Sequence, residues 1–223
     1  MGWIKMSYDW DWAGADAEFQ KALELEPGNA RIIRNKGRLA STLGRLDEAV
    51  ALCRRSLELD PMNVIAHLNL GNYLLNAGRL EESAAHFVKA SEIQPDREAA
   101  HAHLAIAYLL QGKTDPALQE ITRENDEMFR LYGLALVYNA TGNSAASDEA
   151  LQDCIIRYGD VAAYQVASVY AYRGEVDKSF EWLERAYAKR DPGLSEMKGD
   201  PLLINLQRDP RYAEFLKKMK LPS

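Results

Sequence analysis

Small and bulky side chains recur along this chain with the spacing of a helix face. Ala15, Ala49 and Ser83 are each followed four residues later by Phe19, Cys53 and Phe87, and three residues after that by Ala22, Ser56 and Ala90. Steps of four and three keep each triplet on one side of a helix. The small members let a neighbouring helix come close, and the larger ones fill the space between. Punctuation separates these faces into pairs. Arg31–Leu43 is expected as one helix, Gly44 as the turn, and Leu46–Leu59 as its partner. Gly44 can adopt the left-handed conformation that ends a helix. Asp60-Pro61 ends the second helix, because the residue before proline avoids the helical region.

The pattern has a period of 34 residues. Pro27, Pro61 and Pro95 keep that spacing, as do Gly44, Gly78 and Gly112, and Gly37, Gly71 and Ala105. The segments KALELEP, RSLELDP and KASEIQP align, followed by GRLDEA, GRLEES and GKTDPA. Gly37 and Gly71 fall in mid-helix, where glycine costs about 1 kcal/mol, a cost accepted where two helices nearly touch. The period then loosens. Gly142 follows Gly112 by 30 residues and Gly174 follows Gly142 by 32. Leu131–Tyr138 pairs with Ser147–Arg157, and Ala162–Tyr172 with Val176–Ala188.

A two-helix unit of 34 residues with this punctuation resembles the tetratricopeptide (TPR) family, whose pattern is W-x2-L-G-x2-Y, A-x3-F and P. Leu70-Gly71, Leu104-Ala105 and Tyr108 fit its first part; Ala15 with Phe19, Ala49 with Cys53, and Ser83 with Phe87 fit its second. Ile33, His67 and His101 replace the aromatic, and Lys36 replaces the leucine. The resemblance spans roughly residues 8–190 and implies an all-α superhelix. A partial first unit and about five further units would fill residues 1–190, with a capping segment over 191–223.

Both ends carry signals of their own. Met1–Tyr8 is long enough only for the last two turns of a first helix, which suggests a piece of a longer protein; a native short start is the alternative. Asp191-Pro192, Asp200-Pro201 and Asp209-Pro210 each put a capping aspartate before a proline suited to the first helical position. Pro210–Met219 is amphipathic, with Tyr212, Phe215 and Met219 on one face. YDWDWAGADAEFQKALELEPGNA and WLERAYAKRDPGLSEMKGDPLLINLQRDPRYAEFLKKMKLP are similar to the ends of the TPR region in bacterial class III adenylate cyclases and winged-helix transcriptional regulators. That likeness implies a regulatory tail without catalysis of its own.

Composition narrows the function. A net charge of -6 removes the basic footprint that nucleic-acid binding needs. Cys53 and Cys154 are too few and too far apart for a disulfide framework, which fits a reducing, cytoplasmic compartment. No apolar run approaches the roughly 20 residues that span a bilayer. Neither a cofactor nor a metal is expected. His101 and His103 point in different directions on a helix, and His67 and His101 stand at a buried aromatic position. The cysteines replace core residues, and Trp10 and Trp12 are expected to pack rather than to stack a ligand.

In the TPR family the first helix of each unit lines the concave groove. Asn35, Asn69 and His103 take the same position in successive units, and Asn72 and Asn76 follow Asn69 at one and two turns. Such a row can pair with an extended peptide backbone or be a hydrated face. Arg31, Arg34 and Arg38 share one face of their helix and call for something acidic: a carboxylate-bearing peptide or neighbouring Asp and Glu. Chaperone-binding members use Lys and Asn from the first helix, Asn from the second, and Lys and Arg from the third to clamp two carboxylates. Arg34, Arg38 and Asn69 match in place, whereas Ala99 and His103 do not supply the last pair. The expected function is protein binding, with no enzyme activity and no membrane; the alternatives are a self-assembling scaffold, or a chain classed with cyclases through a missing N-terminal domain.

Overall fold

The computed structural model describes residues 1–222 and is helical, with no strand among them. A short N-terminal helix α1 (Gly2–Ile4) continues as a π turn over Lys5–Asp9. It packs on α2 (Trp12–Leu25), and the ring of Phe19 lies against Gly2. Five helix pairs follow: α3 (Ala30–Thr42) with α4 (Leu46–Leu59), α5 (Val64–Asn76) with α6 (Leu80–Ile93), α7 (Ala100–Leu110) with α8 (Thr114–Thr122), α9 (Glu127–Ala140) with α10 (Ser144–Tyr158), and α11 (Ala163–Tyr172) with α12 (Val176–Lys189). Two 3-10 segments, Pro192–Glu196 and Pro201–Leu206, lead into α13 (Pro210–Lys218).

The repeated small residues are where the helices of a pair cross. Ala15, Ala49 and Ala90 are fully buried. A Cβ on Gly71 would come within 2.5 Å of the Phe87 ring, so α5 and α6 pack at a distance that only glycine permits. Ser83 and Ser179, at matching places, each donate to a backbone carbonyl twelve residues earlier, on Gly71 and Ala167, which satisfies the hydroxyl inside the crossing. The turn glycine Gly44 has φ 77, as the sequence required.

The loosened spacing after Gly112 has a local cause. Helix α8 has 9 residues where α4 and α6 have 14, so more than a turn is missing. Helix α9 starts at Glu127, four residues before the expected Leu131, because the Asp126 side chain accepts from the Phe129 amide and caps it there.

The first helices of successive pairs stand side by side: α3 beside α5, then α7, α9 and α11. They form an inner wall, and the residues after α12 run across it. Pro201–Leu206 lies on α11, Gly199 lies against Asn76 of α5, and Pro192–Glu196 reaches α3. This is why α11 is buried at eight of its ten positions. Helix α13 returns to α12, where Phe215 meets Tyr187 edge-on with the ring centroids 6.0 Å apart. It also meets the start of the chain: Trp12 Nε1 donates to the Met219 carbonyl (3.1 Å), Trp10 packs on Tyr187 (5.2 Å), and the Arg190 guanidinium stacks on Trp10 (4.0 Å). The array is thus closed on itself, with Trp10 and Trp12 in the closure.

Candidate binding surface on the inner wall

Each helix of the wall needs its free N-terminal amides satisfied. In α3 and α5 this is local: Asn29 Oδ1 accepts from Arg31 and Ile32, and Asn63 Oδ1 accepts from Ala66. Ala99 and Ala162 occupy the cap positions of α7 and α11 and offer nothing. A carboxylate from the following connection takes over. Glu124, 2% exposed, accepts from the amides of Ala99, Ala102 and Asp126. Asp191 accepts from Tyr164 on α11 and from Gly193 of its own turn. Burial pushes the Asp191 carboxyl above its ordinary range, against the pull of these amide donors.

Between α5, α7, α9, α11 and the C-terminal segment lies a partly open cavity of about 110 Å³. Leu75, Ile106, Phe129, Tyr132 and Leu202 give it apolar walls; Asn72, Asn76, His103, Gln165, Glu196 and Asp200 bring polar groups to it. Asp200 accepts from the Tyr164 hydroxyl (2.7 Å) and from the Leu202 amide (2.9 Å). Burial raises the Asp200 and Glu196 carboxyls; the nearby Arg38 charge offsets part of this for Glu196. His103 donates through Nδ1 to the Ala99 carbonyl (2.7 Å), and burial lowers its pKa, so the ring is neutral with Nε2 as an acceptor.

The sequence-derived residues divide. Asn72, Asn76 and His103 meet at the cavity. Arg38 lies beside it, its guanidinium 4.8 Å from the Trp3 ring, in a crevice shared with Asp191, Pro192 and Ser195. Arg34 donates to Asn63 (3.1 Å) and so ties α3 to the start of α5. Arg31 is exposed, and Asn35 and Asn69 are half-buried outside the cavity lining. His101 bonds Glu120 (2.8 Å) and His67 bonds His86 (3.0 Å). No group of three or more metal-binding side chains occurs among the described residues. Cys53 and Cys154 are buried thiols, that of Cys53 pushed up to about 12 and that of Cys154 to about 11 by desolvation. No helix among the described residues is long and apolar enough to cross a membrane.

Gln165, Tyr132, Tyr164, Glu196 and Asp200 were not anticipated at this site. Asp200 was legible only as a helix cap, a role it also performs through Leu202. The available signal was Glu196 and Asp200 four apart in a segment with no helical periodicity.

A tetratricopeptide repeat model matches residues 11–64, 34–98 and 68–126, together about half of the chain. No curated protein matches the sequence. Among solved structures, PilW, a widely conserved type IV pilus biogenesis factor, superposes with a TM-score of 0.66 at 20% identity, over 98% of this chain and 94% of its own. A thermophilic TPR protein of Thermus thermophilus gives 0.60 at 20% identity, over 84% and 99%. YrrB, described as a TPR protein with an unusual peptide-binding site, gives 0.51 at 21%, over 90% and 97%. Identities this low speak for the fold. Neither a cyclase nor a winged-helix protein is among these likenesses.

Proposed function

The chain belongs to the tetratricopeptide repeat family, and from that premise we propose that it is a protein-interaction module whose inner wall takes an acidic, extended segment of a partner. The observation that carries this reading is the chain's own segment after α12. It crosses the wall with Glu196 near Arg38 and with Gly199 against Asn76. An acidic stretch of 3-10 turns therefore already lies on the part of the wall around Arg38, Asn72, Asn76 and His103, and the proposed surface extends from there to Arg31, Arg34, Asn35 and Asn69. A partner would take the same place by displacing it. Exposed ion pairs contribute only about 0–1 kcal/mol each, so the arginines steer while asparagine-to-backbone bonds hold. The peptide-binding site of YrrB lends support by analogy of fold.

The context we propose is the regulatory tail of a bacterial multidomain signalling protein in the cytoplasm, without catalysis or nucleic-acid binding of its own. It rests on the resemblance of the two end segments to the TPR regions of cyclases and winged-helix regulators. A self-assembling scaffold is the second reading, favoured by the exposure of Ile4, Tyr8 and Trp3 at one end; light scattering over a concentration series decides it.

The test is a peptide array probed with the purified chain. Acidic segments should be enriched, and Arg38→Glu should remove the enrichment while the far-ultraviolet circular dichroism is unchanged. Ligands that bind equally well to Arg38→Glu and to Asn72→Ala would place binding on another face.

A further inference from the structure

The segment that crosses the wall also holds the start of the chain. On the wall side, Gly193 lies against the Tyr164 ring and Gly199 against Asn76, so closely that an added Cβ would meet them at 2.7 and 3.1 Å. On the other side, Pro192 and Ser195 share a narrow crevice with Met6, Ser7 and Trp10. Their neighbour Arg190 stacks on the Trp10 ring (4.0 Å). A second route runs through α13. The Tyr212 hydroxyl donates to the Met197 carbonyl (2.8 Å), and past the far end of that helix the Met219 carbonyl accepts from Trp12 Nε1 (3.1 Å). Between these two routes Met6, Trp10 and Trp12 are kept no more than 7% exposed.

We propose that residues 192–206 and the N-terminal residues form one latch, so that occupancy of the inner wall is transmitted to the start of the chain. This rests on the reading that a partner takes the segment's place on the wall. Leu194, Met197, Leu202, Leu203 and Leu206 are each 2% exposed or less. Side chains packed this closely have discrete arrangements rather than a continuous range, so the segment stays or leaves as a unit. When it leaves, the crevice over Met6 and Trp10 loses one side, and α13 loses its bond to Met197. The N-terminal residues have little of their own to replace these contacts. Helix α1 has 3 residues and the π turn 5, lengths that do not hold a helix in water, so what remains is their packing on α2. A partner on the wall thereby uncovers Met6 and Trp10. The coupling is reciprocal: loosening the start of the chain opens the wall.

Reciprocity allows a test on the free chain, with no peptide present, so its outcome is separate from whether any peptide binds the wall. Hydrogen exchange is read over residues 3–11 and 192–206 in two kinds of variant. Gly193→Val and Gly199→Val press the segment off the wall, where their side chains have no room. Trp12→Phe combined with Arg190→Gln cuts the two anchors at the start of the chain, away from the wall. The expected result is exchange faster by about five-fold or more in both segments, in both kinds of variant, which corresponds to the lower end of common coupling energies. Helices α4 and α6 should keep their protection. If a glycine variant does not fold, the anchor variant decides alone. Faster exchange confined to the segment that carries the substitution, or no change in either segment when both anchors are cut, would overturn the proposal.

Discussion

The units from Asn29 to Ile93 and those from Ala99 to Lys189 build the same helix pair by different means. In the first group the information is local: an asparagine caps each wall helix, and the period never varies from 34 residues. In the second, α7 and α11 have alanine at the cap position and take their caps from carboxylates 22–27 residues downstream. The regular units carry their own helix ends, as α9 does through Asp126, whereas α7 and α11 depend on tertiary structure already being in place. For α11 that dependence reaches the C-terminal segment, because Asp191 caps the helix and opens the segment across the wall.

The largest expected effect breaks this contrast at Glu124. Glu124→Ala leaves the buried amides of Ala99 and Ala102 without an acceptor and should cost about 3 kcal/mol in urea unfolding. Next come Ala49→Leu and Ala90→Leu, each expected to cost about 1–3 kcal/mol, since neither crossing has room for the added volume. Unchanged midpoints for both would mean that the repeat register is misassigned. In the regular half, Asn63→Ala should cost only about 1 kcal/mol, although the loss of the Arg34 contact adds to it. If Asn63→Ala costs as much as Glu124→Ala, local and remote caps do not differ as described.

The smallest effect is a pH dependence with two opposing parts. Burial lowers the pKa of His86 and His103, so the unfolded chain takes up more protons than the folded one as pH falls below about 6.5, and stability drops. Burial raises Asp191, Glu196 and Asp200, so the folded chain holds more protons there, and their contribution is lost as pH rises through the raised values. Melts over a range that starts at the ordinary carboxylate values of 3.8–4.5 and runs past the ordinary histidine value of 6.5 separate the two. His103→Gln should flatten the loss on acidification, and Asp200→Asn should flatten the loss on alkalinisation.

The sequence announced the helix pairs because glycine and proline act on their own backbone. Leu46–Leu59 appears with the expected bounds, and Gly44 at the expected turn. Asp191, Asp200 and Asp209 each accept from the amide two residues on, as the Asp-Pro pairs implied. The site was half legible. Asn72, Asn76 and His103 could be placed on one wall from their spacing, since that is a property of single helices. What lies over them could not, because the path of residues 191–206 is set by contacts with α3, α5 and α11 that no local pattern records. Glu124 was hidden for the same reason: two of its three amide donors, Ala99 and Ala102, belong to another segment.

Hydrogen exchange measured segment by segment, on the free chain and on the chain saturated with the tightest acidic peptide from the array, tests most directly whether a partner and residues 192–206 compete for one wall. The expected result is faster exchange in 192–206 on peptide binding, while α4 and α6 stay protected. Unchanged or slower exchange in 192–206 with the peptide bound would contradict it, because the partner would then be sitting somewhere other than the surface this segment covers.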